Sequence, residues 1–250
     1  MEIAKKLQAL QKSTLILAIR DDPEPLRPYA EKLVHMKVPA LGRGLREMKA
    51  FGADSVIMAG RIPKRVIYCL PLLFDRVSRA VLRKSLHDDH SLLGSIVSAI
   101  EAENIKVIPY WQILPEFIAS SGKLSERFPT QQEISDTAYG QEILRVTLPC
   151  SFGQAVCIAD GAVSAIEAME GTDRMILRAG ELAGHGSVVK MMRTDQDMRY
   201  DLPTVGPRTL ENMKRAGLTC LAVEAGKTLI LEPDEFFVLA EKYNIAVWGI

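Results

Sequence analysis

The chain has 250 residues, enough for one large domain or two of ordinary size, with 48% of them apolar and 25% charged. That is the composition of a globular protein whose core needs no disulfides. Lys and Arg number 31 and so do Asp and Glu, so no basic excess speaks for nucleic acid as a partner. The cysteines Cys69, Cys150, Cys157 and Cys220 form no CxxC pair and read as reduced core thiols. No apolar run reaches the ~18 residues of a membrane span, and the opening segment MEIAKKLQALQKS lacks the apolar core of a signal peptide. A cytoplasmic protein is expected, with any membrane contact peripheral.

In chain order, the apolar run 14–19 predicts a buried strand. Three prolines between 21 and 28 predict a turn, and a helix is expected over 29–36. Leu41-Gly42-Arg43-Gly44 reads as a turn, 45–51 as a short helix closed by Gly52, and 55–60 as a second strand. Strand and helix alternate, which predicts a mostly parallel sheet covered by helices. Gly42 and Gly44 do not make a GxGxxG motif, so no nicotinamide or flavin site is expected. Residues 66–82 are apolar with flanking basic residues. Pro71 would break an interfacial helix there, which favours a core or subunit-contact role. His87-Asp88-Asp89-His90 precedes a helix over 91–103 and reads as its acidic start, since neighbours in one turn seldom converge on one metal. A strand follows over 106–110, a short helical piece over 114–118 and a turn over 120–123.

The domain boundary is placed near Pro129, giving domains 1–129 and 130–250. Thr130-Gln131-Gln132-Glu133 is a capping box opening a helix to about Val146. Two strands around Asp160-Gly161 form a hairpin signature. Thr172 is expected to cap a helix to Leu182, a strand follows over 186–192, and a second hairpin is expected over 220–232 around Gly226-Lys227. Pro233 starts a last helix and 245–250 is a last strand.

The chemistry concentrates in residues 190–211, KMMRTDQDMRYDLPTVGPRTLE. Asp195, Asp197 and Asp201 stand among Lys190, Arg193, Arg199 and Gln196. The stretch then turns apolar and enters a helix with Gly206 at its cap and Pro207 in its first turn. A helix N-terminus suits a phosphate, and carboxylates beside it suit a hard cation or an activated water. A solvated acidic loop before an ordinary cap is the plainer alternative.

Asp160-Gly161, then Ile166-Glu167-Ala168-Met169-Glu170-Gly171-Thr172-Asp173, Val189-Lys190, Gln196-Asp197, Arg199-Tyr200-Asp201-Leu202-Pro203-Thr204-Val205-Gly206, Ala216-Gly217-Leu218 and Ala222-Val223-Glu224-Ala225-Gly226 stand in an order that closely resembles the LpxI family. Those proteins are the UDP-2,3-diacylglucosamine pyrophosphatases of lipid A biosynthesis. The likeness covers 130–250 and extends more loosely through 41–108, Ala59-Gly60 and Asp88-Asp89 included. It implies an N-terminal Rossmann-like parallel α/β domain and a C-terminal mixed α/β domain. It implies hydrolysis of the sugar nucleotide to UMP and 2,3-diacylglucosamine 1-phosphate with Mg²⁺ or another divalent cation, by a protein that meets the inner membrane peripherally; a homo-oligomer is left open. Carried over by motif, Asp201 is the catalytic residue. Lys190, Gln196, Arg199, Thr204, Gly206, Glu170, Gly171, Thr172 and Asp173 bind substrate, and Asp201, Asp197 and Glu167 hold the metal. The resemblance departs at the first turn, where Arg20-Asp21-Asp22-Pro23 replaces a glycine-rich sequence. A non-catalytic sugar-nucleotide or lipid-phosphate binding relative is the alternative that this departure raises.

Overall fold

The computed structural model describes residues 1–19, 22–36, 40–60, 75–84, 89–193 and 196–250, without the side chains of 82–84 and 89–91. Expectations for Arg20, Asp21, Cys69, Pro71, Asp88 and Asp195, and the placement of the Asp89 side chain, lie outside what it describes. The chain divides into two compact units, Met1–Leu114 and Pro115–Ile250.

In the first unit, α1 (Glu2–Ala9) precedes β1 (Leu15–Ala18), which pairs in parallel with β2 (Lys32–His35), Leu15 opposite Lys32 and Ala18 opposite His35. The helix expected over 29–36 is therefore a strand. A 3-10 turn over Glu24–Tyr29 ends at Ala30, and the four residues of β2 have too little pattern to reveal a period without their partner. Helix α2 (Leu41–Phe51) includes the expected turn 41–44. It has no local side-chain cap. Instead, the Ser78 hydroxyl accepts from the Leu41 N–H at 2.8 Å and the Asp75 carboxylate from the Arg43 N–H at 3.0 Å. A cap more than 30 residues away leaves no sequence signature. β3 (Ser55–Val56) and β4 (Lys106–Val107) form a second parallel pair, and α3 (Arg76–Lys84) and α4 (Asp89–Glu101) lie between them in the chain. The parallel character is as expected, but it is spread over two two-stranded sheets, with both β3 and β4 shorter than predicted.

The second unit is built on one six-stranded sheet. Its strands are β5 (Gly122–Lys123), β6 (Ala155–Ala159), β7 (Ala162–Ile166), β8 (Ser187–Lys190), β10 (Cys220–Val223) and β12 (Ala246–Gly249), with β9 (Thr204–Val205) lying outside it; the order is β5-β12-β10-β8-β6-β7. β8, β10 and β12 run parallel, and β5, β6 and β7 make the antiparallel contacts. Ile118, Ala119 and β5 pair with this unit, so residues 115–129 belong to it and the division falls at Leu114, ahead of Pro129. Helix α5 (Gln131–Thr147) opens on the predicted Thr130 and Glu133 capping box. Asp160 and Gly161 both take positive φ, 51° and 76°, as a two-residue hairpin turn requires.

Alternation along the strands sends side chains to two cores. Ala155, Cys157, Val188, Leu221, Val223 and Val247 face α6 (Thr172–Leu182), α7 (Pro207–Ala216) and α8 (Pro233–Tyr243), while Val156, Ile158, Val189 and Ala222 pack with Leu144 and Leu148 at the end of α5. Both faces are covered, so the central strands read as unbroken apolar runs. Each fully buried Leu, Ile, Met or Phe here contributes about 1.5–3 kcal/mol. Of the four thiols, Cys157 and Cys220 are buried, and burial pushes both up to about 12. Cys150 is exposed rather than in the core. The expected second hairpin does not form. β11 (Leu229–Ile230) pairs in parallel with β9 instead of folding back on β10, whose neighbours β8 and β12 already flank it. Among the described residues, no helix is long and apolar enough to cross a membrane.

Candidate active site

Topology gathers the charged residues at one edge of the second unit's sheet. Ala155 at the start of β6 stands opposite Lys190 at the end of β8, and Val223 at the end of β10 also pairs with Lys190. Ile166, at the end of β7, stands opposite Val156. This is the carboxyl edge of the parallel strands, where open α/β sheets bind ligands. Glu167 and Glu224 follow directly in sequence on β7 and β10.

Lys190 anchors the edge. It is 7% exposed, and its Nζ donates to Thr172 Oγ1 at 3.0 Å and to the Thr204 carbonyl at 2.9 Å. Thr172 Oγ1 in turn donates to Glu167 Oε1 at 3.0 Å. Burial lowers the Lys190 pKa, opposed by the negative charges of Glu167 and Asp173. One ammonium thus ties the end of β8 to the first turn of α6 and to the segment leading into α7. The two helix starts are joined again by Asp173 and Arg208 at 3.0 Å. Their positive dipole ends therefore lie side by side, a setting suited to phosphate groups.

The Asp201 segment is held by side chains. Gln196 Oε1 accepts from the Arg193 N–H at 2.8 Å, and Gln196 Nε2 donates to Asp201 Oδ2 at 2.7 Å. Gln196, expected to touch substrate, spends its amide on orienting Asp201. Arg199 closes on Asp197 through Nε and Nη2, at 2.9 and 2.7 Å from Oδ2. Glu170 pairs with Arg178 at 2.6 Å, whose guanidinium also donates to the Ile166 carbonyl. The hydrogen bond from Arg178 to Glu170 is the largest influence holding the Glu170 carboxyl below the usual range. Gly171, at φ 82° and ψ 165°, is the N-cap of α6 in place of the expected Thr172, whose hydroxyl belongs to the Lys190 relay. Gly206 caps α7 as predicted, its N–H donating to Thr209 Oγ1 at 3.2 Å.

Among the described residues, no group of three or more His, Cys, Asp or Glu side chains is arranged to hold a metal ion. The expected set of Asp201, Asp197 and Glu167 is not assembled. Asp197 is engaged by Arg199, and Glu167 is turned to Thr172 and to the Gln154 N–H at 3.2 Å. A small hard cation needs only one or two carboxylates when substrate phosphates complete its shell, and the oriented Asp201 fits that smaller role. Glu224 had no place in the sequence reading of the site. Its Oε2 accepts from the Met192 N–H at 2.8 Å and its Oε1 from Lys227 Nζ at 2.7 Å. The signal that reveals it is its position, the first polar residue after the buried strand Cys220–Val223.

A cavity of about 290 Å³ lies at the opposite, amino edge, lined by Arg127, Glu133, Asp136, Asp160, His185 and Thr219 among others. Arg127 and Glu133 bind each other, Asp136 accepts from the Gly161 N–H, and His185 meets Asp160. Its charged groups satisfy one another, as in a structural network.

The fold and the edge define a two-domain α/β protein with a phosphate-suited polar site on its C-terminal sheet. Residues 1–117 match the model of the LpxI N-terminal domain and residues 120–248 that of the LpxI C-terminal domain. The chain belongs to the LpxI family. It is similar to the UDP-2,3-diacylglucosamine pyrophosphatase LpxI of Caulobacter vibrioides, 24% identical over 270 aligned positions that cover 100% of this chain and 93% of the relative.

Proposed function

We propose that the chain hydrolyses the diphosphate of UDP-2,3-diacylglucosamine, water adding to phosphorus as the bridging P–O bond breaks, to give UMP and 2,3-diacylglucosamine 1-phosphate for lipid A biosynthesis. The observation that carries the reading is the Asp201 carboxylate, oriented by Gln196 on the segment that Lys190 fastens to the carboxyl edge. The full-length likeness to a pyrophosphatase of that substrate supports it. Diphosphate hydrolysis needs a water held in line and charge neutralised on the phosphoryl oxygens. Asp201 serves the first as base, or would hold a divalent cation for the second. When bound, that cation supplies Lewis-acid charge neutralisation. The paired N-termini of α6 and α7 add positive potential, and Lys190, itself buried, fixes the geometry. A diacyl substrate places the protein at the cytoplasmic face of the inner membrane in peripheral contact.

The test is UMP release from UDP-2,3-diacylglucosamine by purified protein with and without Mg²⁺, alongside Asp201→Ala. The expected result is Mg²⁺-dependent release by the wild type and a loss of at least about 100-fold in the variant. Full activity in a folded Asp201→Ala protein removes Asp201 from the site. Substrate binding without release identifies a non-catalytic binding relative.

A further inference from the structure

Three successive backbone N–H groups leave β8 and enter the segment that carries Asp201, and each has a partner. The Met191 N–H donates to the Gln154 carbonyl at 3.0 Å, the Met192 N–H to Glu224 Oε2 at 2.8 Å, and the Arg193 N–H to Gln196 Oε1 at 2.8 Å. Only the middle one of these three partners is a charged side chain, and it stands just past the end of β10. Glu224 is well placed for it. Its own N–H donates to the Lys190 carbonyl at 3.0 Å, one step beyond the β8 and β10 ladder, which sets its side chain over the point where the chain leaves the sheet. Lys227 holds the other carboxylate oxygen, so the group is braced on both sides. From Met192 the path continues through the Gln196 side chain to Asp201 Oδ2 at 2.7 Å.

We propose that Glu224 is a positioning residue: by fixing the start of this segment it holds the Gln196 amide, and through it the Asp201 carboxylate, in working orientation. A hydrogen bond from a neutral backbone N–H to a carboxylate is charge-assisted and roughly twice as strong as a neutral one. A buried peptide plane held that way moves little, and a displacement of about 1 Å at a reacting group can cost 100-fold in rate. The kinetic consequence rests on the diphosphatase reading; the hold on the segment does not.

The experiment combines a double-mutant cycle with hydrogen exchange, on the full chain. Glu224→Ala is expected to lower kcat between about tenfold and 100-fold with little change in KM. Glu224→Gln, whose amide oxygen still accepts from Met192, should retain most of the wild-type rate. The double variant Glu224→Ala with Gln196→Ala should lose no more than the worse single variant, because both act on one carboxylate through one segment. Backbone exchange over 192–201 should quicken in Glu224→Ala and not in Glu224→Gln, with α8 unchanged. If the single losses multiply in the double variant, or exchange over 192–201 is unaffected by Glu224→Ala, the proposal is overturned. Should Glu224→Ala fail to fold, Glu224→Asp, which withdraws the oxygens by one methylene, goes through the same measurements. If the wild type releases no UMP, the diphosphatase reading fails, and the exchange measurements still decide whether Glu224 holds the segment.

Discussion

A lysine ammonium 93% removed from water is costly unless something answers its charge, and among the described residues Lys190 donates to oxygens of Thr172 and Thr204, with Glu167 one hydroxyl further. The net effect of burial is a lowered pKa. Between that value and the ordinary 10.5, the unfolded chain binds a proton that the folded chain has released. Stability contributed by this group therefore rises with pH through that window and levels off above it. Comparing urea midpoints of wild type and Lys190→Met from neutral pH to 10.5 should show the wild type gaining on the variant as pH rises; parallel profiles would contradict the depressed lysine. At neutral pH the variant should also lose turnover, since the Thr204 carbonyl and Thr172 hydroxyl then stand without their donor, at about 1–3 kcal/mol for a buried polar group. The charged stretch that holds Lys190 and Asp201 was legible in the sequence, because charge concentrated in a few residues ahead of a Gly-Pro helix start is a local pattern, while Asp201 itself was singled out by the family likeness. The hold of Glu224 on the Met192 N–H was not legible, because the two lie 32 residues apart and only the place of Glu224 at a strand end is local.

The same rule sorts the elements. The Asp160-Gly161 hairpin, the Thr130 capping box and the Gly206-Pro207 helix start are each written within a few neighbouring residues, and all form as read. β2, the first turn of α2 and the pairing of β11 depend on Leu15–Ala18, on Asp75 with Ser78, and on Thr204–Val205, and these are where the reading and the fold differ. Helix contact carries a further demand that sequence hides. Gly180 of α6 faces α7 so closely that a Cβ there would sit 2.5 Å from the Ala216 Cα, which is backbone and cannot swing aside. Gly180→Ala should raise helix propensity by about 1 kcal/mol and still destabilise the protein, since overpacking costs about 1–3 kcal/mol. The helices must part, and the Asp173 and Arg208 pair that joins their first turns should loosen with them. Denaturant unfolding with turnover on the same samples checks this. Unchanged stability and rate would mean the two helices can separate without disturbing the edge.

At the scale of the whole molecule, both core clusters found among the described residues lie in the second unit. Every buried residue of the two clusters lies at Ala119 or beyond. That unit also carries the strap 115–129, which the sequence reading left with the first domain. Ala119 exchanges backbone hydrogen bonds with Thr228 and Gly226, β5 adds the edge strand beside β12, and Arg127 binds Glu133 through both carboxylate oxygens with the pair largely buried. Burial pushes the Glu133 carboxyl up, but the hydrogen bonds from Arg127, Thr219 and the Thr130 N–H outweigh it and hold the group below its ordinary range. Its contribution to stability is therefore present above the unfolded carboxyl value and is lost as pH falls through the lowered one. These contacts predict that a fragment 115–250 folds cooperatively on its own, whereas a fragment 130–250 does not match it. Removing Arg127 leaves Glu133 without its ion partner in a site where breaking such a pair costs about 3–5 kcal/mol, a large part of the 5–15 kcal/mol that holds a domain together. Urea denaturation of the two fragments followed by circular dichroism decides the point. If they unfold at the same midpoint, the strap is decoration and the working boundary lies near Pro129. If 115–250 is the more stable by several kcal/mol, with its excess over 130–250 shrinking as pH is lowered, the strap is part of the domain that bears the site.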